Sequence, residues 1–313
     1  MGIIEQAAKR LEELDRAGVS VPWKVVDGSG EGARTDGAAM LRPARLSEAP
    51  RVANLASSPA IDEEPRVDVV LDIDGLQRAG QLVPTDTCSV QAEELRSIKR
   101  PLLKNARGKN AAAQRLPLIM VTSAVPGEGK TFFSINLAMS IATEIDLSVL
   151  LVDADVLRQD AMERLGVGAG PGLLDLLSDP GLALDDVVQR TNVPKLSVLR
   201  AGYRRNLSTE LLASSAMDKL LHRLAHDHPR QIVVFDAPPL LMTNQAKVLA
   251  SHLGQIVVLV EAAHTQRHIV QQAFATLEQC PIVMSVLNKS SEQPSGEGYG
   301  YGYGYGYGYG RDA

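Results

Sequence analysis

Residues 119–132 constrain this chain more than any other stretch: Ile119, Met120, Val121, Thr122 and Ser123 form an apolar run, and the loop Ala124-Val125-Pro126-Gly127-Glu128-Gly129 leads into Lys130, Thr131 and Phe132. Beyond it Phe133, Leu137, Ala138 and Ile141 recur at helical spacing. Strand, glycine-bearing loop and helix in that order are what a phosphate-binding loop requires. The pattern G-x-x-x-x-G-K-[ST] is met except at its first position, where Ala124 replaces glycine. Each residue type has a task. Backbone N–H groups wrap the phosphates and the helix N-terminus adds its dipole, while Lys130 reaches the β and γ oxygens and the Thr131 hydroxyl ligates Mg²⁺. Pro126 through Phe132 are therefore the expected ATP-binding segment.

With 313 residues, 45% hydrophobic, the chain is long enough for one large α/β domain with extensions, or for two domains. A net charge of −5 argues against a general nucleic-acid binder, which would show a basic face. Cys88 and Cys280 lack metal-ligand spacing and suit a reducing cytoplasm. No apolar run approaches the roughly 20 residues of a membrane span, so a soluble protein is expected. Residues 1–18 are expected to form an amphipathic helix with Ile4, Ala7, Leu11 and Leu14 on one face, and 19–66 a flexible linker. Val67 to Leu76 alternates apolar and acidic residues, compatible with a short strand or an extended docking segment. Ser89 is a plausible cap for a helix running through Leu95, Ile98 and Leu102.

From Leu118 onward apolar strands alternate with helical segments, among them one expected helix over 130–144 and another over 208–226. That rhythm predicts an α/β fold, a P-loop NTPase-like, mostly parallel sheet with helices on both faces, spanning 67–290. In such sheets ligands sit at the carboxyl ends of the strands. Two acidic clusters fall there: Asp153 and Asp155 after Val149-Leu150-Leu151-Val152, and Asp236 after Ile232-Val233-Val234-Phe235. An acid ending a β-branched run is the arrangement that holds Mg²⁺ directly or through water. Three carboxylates exceed what a simple NTPase needs. A spare one can accept the proton of an attacking hydroxyl, which points to transfer onto an alcohol or phenol.

With these motifs the chain resembles the bacterial tyrosine kinases, P-loop proteins that autophosphorylate a C-terminal tyrosine cluster and regulate polysaccharide assembly. The resemblance spans about 67–313. Through Glu93-Glu94-Leu95-Arg96-Ser97-Ile98-Lys99-Arg100-Pro101 and Gly127-Glu128-Gly129-Lys130-Thr131-Phe132 it is most similar to the exopolysaccharide-locus (PEP-CTERM/exosortase-associated) autokinases, which are encoded apart from their membrane activator. The resemblance implies Lys130 and Thr131 as the Walker A pair, Asp153 and Asp155 as the Walker A′ pair and Asp236 as Walker B. It makes Asp153 the base candidate, places Asp155 and Asp236 nearer the metal with Thr131, and implies catalytic roles for Lys130, Asp153 and Asp155. The family's D-x-D-x-R departs here, because Arg158 comes one residue late. Asn288 matches an adenine-contacting position, and a turn-forming Asn is the alternative. Glu93, Arg96 and Lys99 match an oligomerisation motif, with lysine in its last place, expected to share a helix face toward a neighbouring subunit. The implied partners are further copies of the chain, in a homo-oligomeric ring with each tail in a neighbouring site, and a membrane chain-length determinant that recruits the kinase to the inner membrane face and activates it.

Tyr299, Tyr301, Tyr303, Tyr305, Tyr307 and Tyr309 alternate with glycine in a tail expected to be flexible over 291–313. They are the expected phosphoacceptors. About eleven residues separate Asn288 from Tyr299, a coil reach of roughly 18 Å. The rival functions are a nucleotide-switch ATPase of the MinD/ParA type without kinase activity, whose loop lysine is Val125 here, and a scaffold that binds ATP without transfer.

Overall fold

The computed structural model describes residues 66–84, 88–108, 115–203 and 207–290. The chain divides into two units, Met1–Ile61 and Asp62–Ala313, and every described residue belongs to the second. The expected N-terminal helix, almost all of the linker and the tyrosine tail lie outside the described residues. Among the described residues, no helix is long and apolar enough to cross a membrane.

The acidic segment after Val67 is neither a strand nor wholly extended. Val69 makes one parallel bridge to Thr191, and then Asp72 accepts from the Gly75 N–H and starts helix α1, Ile73–Arg78. A second capped helix follows, α2 at Val90–Ala106, where the Ser89 side chain accepts from the Ala92 N–H as its sequence implied.

The core alternates as follows: β1 Leu118–Ser123, α3 Lys130–Ala142, β2 Ser148–Asp153, α4 Asp160–Arg164, α5 Leu173–Ser178, α6 Leu184–Val187, β3 Gln189–Arg190 and β4 Leu196–Leu199. It continues with α7 Ser208–Leu212, α8 Ser215–His226, β5 Gln231–Asp236, α9 Asn244–His252, β6 Gln255–Glu261, α10 Arg267–Ala275 and β7 Ile282–Asn288. The helix expected over 208–226 is two helices. The Ser214 side chain accepts from the Met217 N–H and restarts the chain as α8, an example of a mid-segment serine preferring the cap.

The strands form one sheet in the order β3-β4-β2-β5-β1-β6-β7, parallel throughout except for β3 against β4. Alternate residues of the buried strands feed opposite faces. Ile119, Val121, Ile232, Val234, Val257 and Leu259 pack on the side of α2 and α3. Leu118, Met120, Val233, Phe235, Ile256 and Val258 pack on the side of α8 and α9. Burying each such side chain contributes roughly 1.5–3 kcal/mol, and helices on both faces let whole strands be apolar. Gln255, fully buried, bonds Asn105 through Oε1 and the carbonyls of Leu102 and Leu116 through Nε2, tying α2 to the start of β6.

One expectation fails on α2. Lys99 does not share an outward face with Glu93 and Arg96: it is 3% exposed, and its ammonium donates to the Ser140 carbonyl at 2.8 Å and pairs with Glu144 at 2.7 Å. At 3.6 residues per turn, position i+6 lies about 120° round the helix from position i. Glu93 and Arg96 remain on the outer side and pair with each other.

Candidate active site

The parallel strands β1, β2, β5 and β7 end at one edge of the sheet, and every expected nucleotide-site residue in the described part is there. Gly127 and Gly129 hold φ of 91° and 93°, and Gly129 is the N-cap of α3. A Cβ on Gly129 would sit 2.3 Å from Asn288 Nδ2. Only glycine fits this corner, for backbone and space alike.

Three side chains from other elements brace the loop. Asn288 Nδ2 donates to the Glu128 carbonyl at 2.8 Å, and Lys289 Nζ donates to the Gly127 carbonyl at 2.8 Å while pairing with Glu261 at 2.9 Å. Glu128 itself, 1% exposed, accepts from the N–H groups of Val125 and Glu261 and from the Thr265 hydroxyl. Its carboxylate therefore shapes the loop from within, and whatever it offers a phosphate comes from its backbone. Asn288, expected against the adenine base or in a turn, spends its amide nitrogen on the phosphate loop.

Lys130, first residue of α3, places Nζ 2.9 Å from Asp155 Oδ2 and 3.5 Å from Thr131 Oγ1. Asp153 is fully buried. Its oxygens accept from the N–H groups of Asp155 and Met162, and burial, reinforced by Asp236, pushes its pKa up to about 8. Asp236 is also fully buried and takes a hydrogen bond from Ser134 at 3.0 Å. Burial raises its pKa to about 6, while the Lys130 charge and the Thr131 and Ser134 hydroxyls hold it down.

Asp236 Oδ2 has no hydrogen-bond partner among the described residues. A bare, buried carboxylate oxygen near the Thr131 hydroxyl suits a hard cation or its water. Asp155 is less free for that task, since its oxygens already bond Lys130 Nζ and the Arg158 N–H. Opposite the loop, Arg158 and Arg164 line the same cavity of about 150 Å³ as Lys130, Thr131 and Phe132. The late arginine of the sequence thus does face the phosphate site. Arg164 was not foreseen, and neither were Ser134, Thr265 and Lys289. Only Ser134 left a trace, as a polar residue four places after Lys130 on the apolar face of its helix.

A mostly parallel sheet whose first described strand runs through such a loop into a helix, with buried aspartates at the ends of the next two strands, β5 and β2, is a P-loop NTPase-like fold. No family model matches the chain. It is 29% identical over 214 residues to the tyrosine-protein kinase ptk of Acinetobacter johnsonii, covering 66% of this chain and 27% of that protein. With the tyrosine-protein kinase CpsD of Streptococcus agalactiae it shares 30% identity over 179 residues, 56% of this chain and 76% of that protein. The kinase domain of the Escherichia coli tyrosine kinase Etk superposes with a TM-score of 0.59 at 26% identity, covering 71% of this chain and 84% of that domain. The chain belongs to the bacterial tyrosine-protein kinases. It spans only about a quarter of the ptk relative's length.

Proposed function

We propose that this chain is an ATP- and Mg²⁺-dependent protein-tyrosine kinase that phosphorylates its own C-terminal cluster, Tyr299, Tyr301, Tyr303, Tyr305, Tyr307 and Tyr309. The observation that carries this is the set of three buried aspartates around the phosphate loop, one of them, Asp153, with its pKa raised to about 8. A base of that strength is far better matched to a phenol, whose pKa is near 10, than an ordinary carboxylate is.

In the proposed reaction the phenol oxygen attacks the γ-phosphorus of ATP. The bond from that phosphorus to the β–γ bridging oxygen breaks, ADP leaves, and the phenolic proton passes to the Asp153 carboxylate. Lys130 and the loop N–H groups stabilise the charge that gathers on the phosphate oxygens. Mg²⁺, held by Thr131 and Asp236 with Asp155 nearby, would supply further charge neutralisation and orient the phosphates.

β7 ends at Asn288, and both Asn288 and Lys289 bond the phosphate loop, so the last described residues lie at the rim of the site, which supports a tail substrate. The resemblance adds that the acceptor tail enters a neighbouring copy's site, that the kinase regulates exopolysaccharide synthesis and export, and that a membrane chain-length determinant recruits and activates it. The test is phosphotyrosine labelling of purified protein with ATP and Mg²⁺, alongside Lys130→Met. Label confined to wild type supports the reading, and equal label on both overturns it.

A further inference from the structure

Beside the phosphate cavity lies a larger one, of about 500 Å³, which the proposed reaction does not use. The two are neighbours through Arg158, which lines both. Met162 and Val167 give the larger cavity an apolar lining, Arg158 and Arg200 bring it two guanidinium groups, Tyr203 brings a half-exposed ring, and Glu163 is the carboxylate among its lining residues. Arg200 is anchored by Nε, which donates to the Gly168 carbonyl at 2.6 Å. Among the described residues, its terminal nitrogens and the whole guanidinium of Arg158 have no hydrogen-bond or ion-pair partner.

We infer that this second cavity binds the phosphorylated phenol of a tail tyrosine already modified, and so presents the next tyrosine to the phosphate site. The inference rests on the tail being the substrate, and it gives that reaction an order.

Charge and shape agree. Two guanidinium groups against one carboxylate leave the lining with a net positive charge, facing a phosphate of about −1.5 to −2. Guanidinium groups are suited to phosphate through paired N–H donors. The volume is far more than a phosphate ion fills, and its apolar wall and exposed ring accommodate an aromatic side chain. Tyrosine recurs at every second residue from Tyr299 to Tyr309. In extended chain, two residues span at most about 7 Å, the scale of adjoining cavities with a common wall. The intervening glycines let the backbone cross that wall closely. A neutral tyrosine would leave both guanidinium groups without an anion, so the preference is for the product of the first transfer.

The test is calorimetric titration of dephosphorylated full-length protein saturated with ADP and Mg²⁺, which occupies the phosphate loop. Three probes are compared: a Tyr-Gly repeat peptide carrying one phosphotyrosine, the same peptide without phosphate, and inorganic phosphate. The phosphopeptide should bind at least about tenfold tighter than either other probe, corresponding to ~1.4 kcal/mol. Arg200→Met should abolish the difference and Glu163→Gln should increase it, the second variant deciding the matter if the first does not fold. Equal binding of the two peptides, a preference surviving Arg200→Met, or no gain in Glu163→Gln would overturn the inference. Inorganic phosphate binding as tightly as the phosphopeptide would assign the cavity to a free anion and overturn it too. Peptide binding requires no phosphoryl transfer, so an inactive protein with the preference intact would defeat the kinase reading alone.

Discussion

Lys130 Nζ lies 2.9 Å from Asp155 Oδ2, and both side chains are buried. The ammonium is thus held at the phosphate loop by a carboxylate that follows β2, the strand on the far side of β5 from β1. An isolated buried charge would be costly, and the pair offsets part of that cost. Phosphate oxygens compete with Asp155 for the same donors. Lys130→Met should lower the rate of tyrosine phosphorylation by at least about 10²-fold, as loss of a donor to developing charge does elsewhere. Radiolabel incorporation by the purified variant measures it.

Gly129→Ala should damage the loop without touching any charged group. The new Cβ would lie 2.3 Å from Asn288 Nδ2, on a residue with φ of 93°. Forcing alanine into that conformation costs roughly 1–3 kcal/mol before the clash is counted. Thermal melts should show the loss, and nucleotide titration a weakened affinity. Unchanged affinity would mean that the brace from β7 does not shape the site.

The loop, the acids and the sheet were legible because each is written locally. Lys130 and Thr131 follow a glycine loop at fixed spacing, and Asp153, Asp155 and Asp236 close runs of apolar residues. What escaped was set by tertiary structure. Thr265 and Lys289 reach Glu128 and Gly127 across more than a hundred residues of sequence. Lys99 carries a surface residue's charge at a spacing that suggests one face with Glu93, but i+6 lies about 120° round the helix and turns it inward. The site of Arg164 depends on where α4 packs, which no periodicity records.

Lys99 is accordingly expected to act on stability within the subunit. Lys99→Ala removes hydrogen bonds from a buried ammonium to Ser140 and Glu144. The loss should be roughly 1.5–3 kcal/mol, the usual worth of a hydrogen bond to a charged group. Denaturant unfolding checks this. Charge reversal at Arg96, which is 28% exposed and paired with Glu93, should change the mass seen in light scattering where that face meets a neighbouring copy.

Protons should couple to stability with a definite sign in protein free of nucleotide and metal. Folding raises the pKa of Asp153 from 3.8 to about 8 and that of Asp236 to about 6. The folded state therefore holds protons that the unfolded chain has released. Their stabilising contribution is fully present below about pH 4 and is lost as pH climbs through 6 and then 8. The melting temperature should fall between about pH 5 and about pH 8.5, with Asp153→Asn flattening the upper part of the curve. A melting temperature that rises over this window would contradict the burial assigned to these carboxyls.

Phosphorylation should act as a charge switch on assembly. Six modified tyrosines would take the net charge from −5 to roughly −14 to −17, nearly all of the change falling in 299–310. Neighbouring phosphates repel each other, so a tail carrying all six, unlike one carrying a single phosphate, should be expelled from a site lined by Asp155 and Asp236. Light scattering on dephosphorylated protein should show the larger mass, with added salt blunting the difference. Equal masses would leave the tail a substrate without this effect.

The most direct measurement is mass-spectrometric mapping of phosphate on purified protein incubated with ATP and Mg²⁺, with Asp153→Asn and Lys130→Met in parallel. Phosphate on the tyrosines between Tyr299 and Tyr309 in wild type, and on none of them in either variant, is the predicted result. ATP hydrolysed by wild type with every tail tyrosine unmodified would contradict the kinase account and leave a nucleotide-switch ATPase in its place.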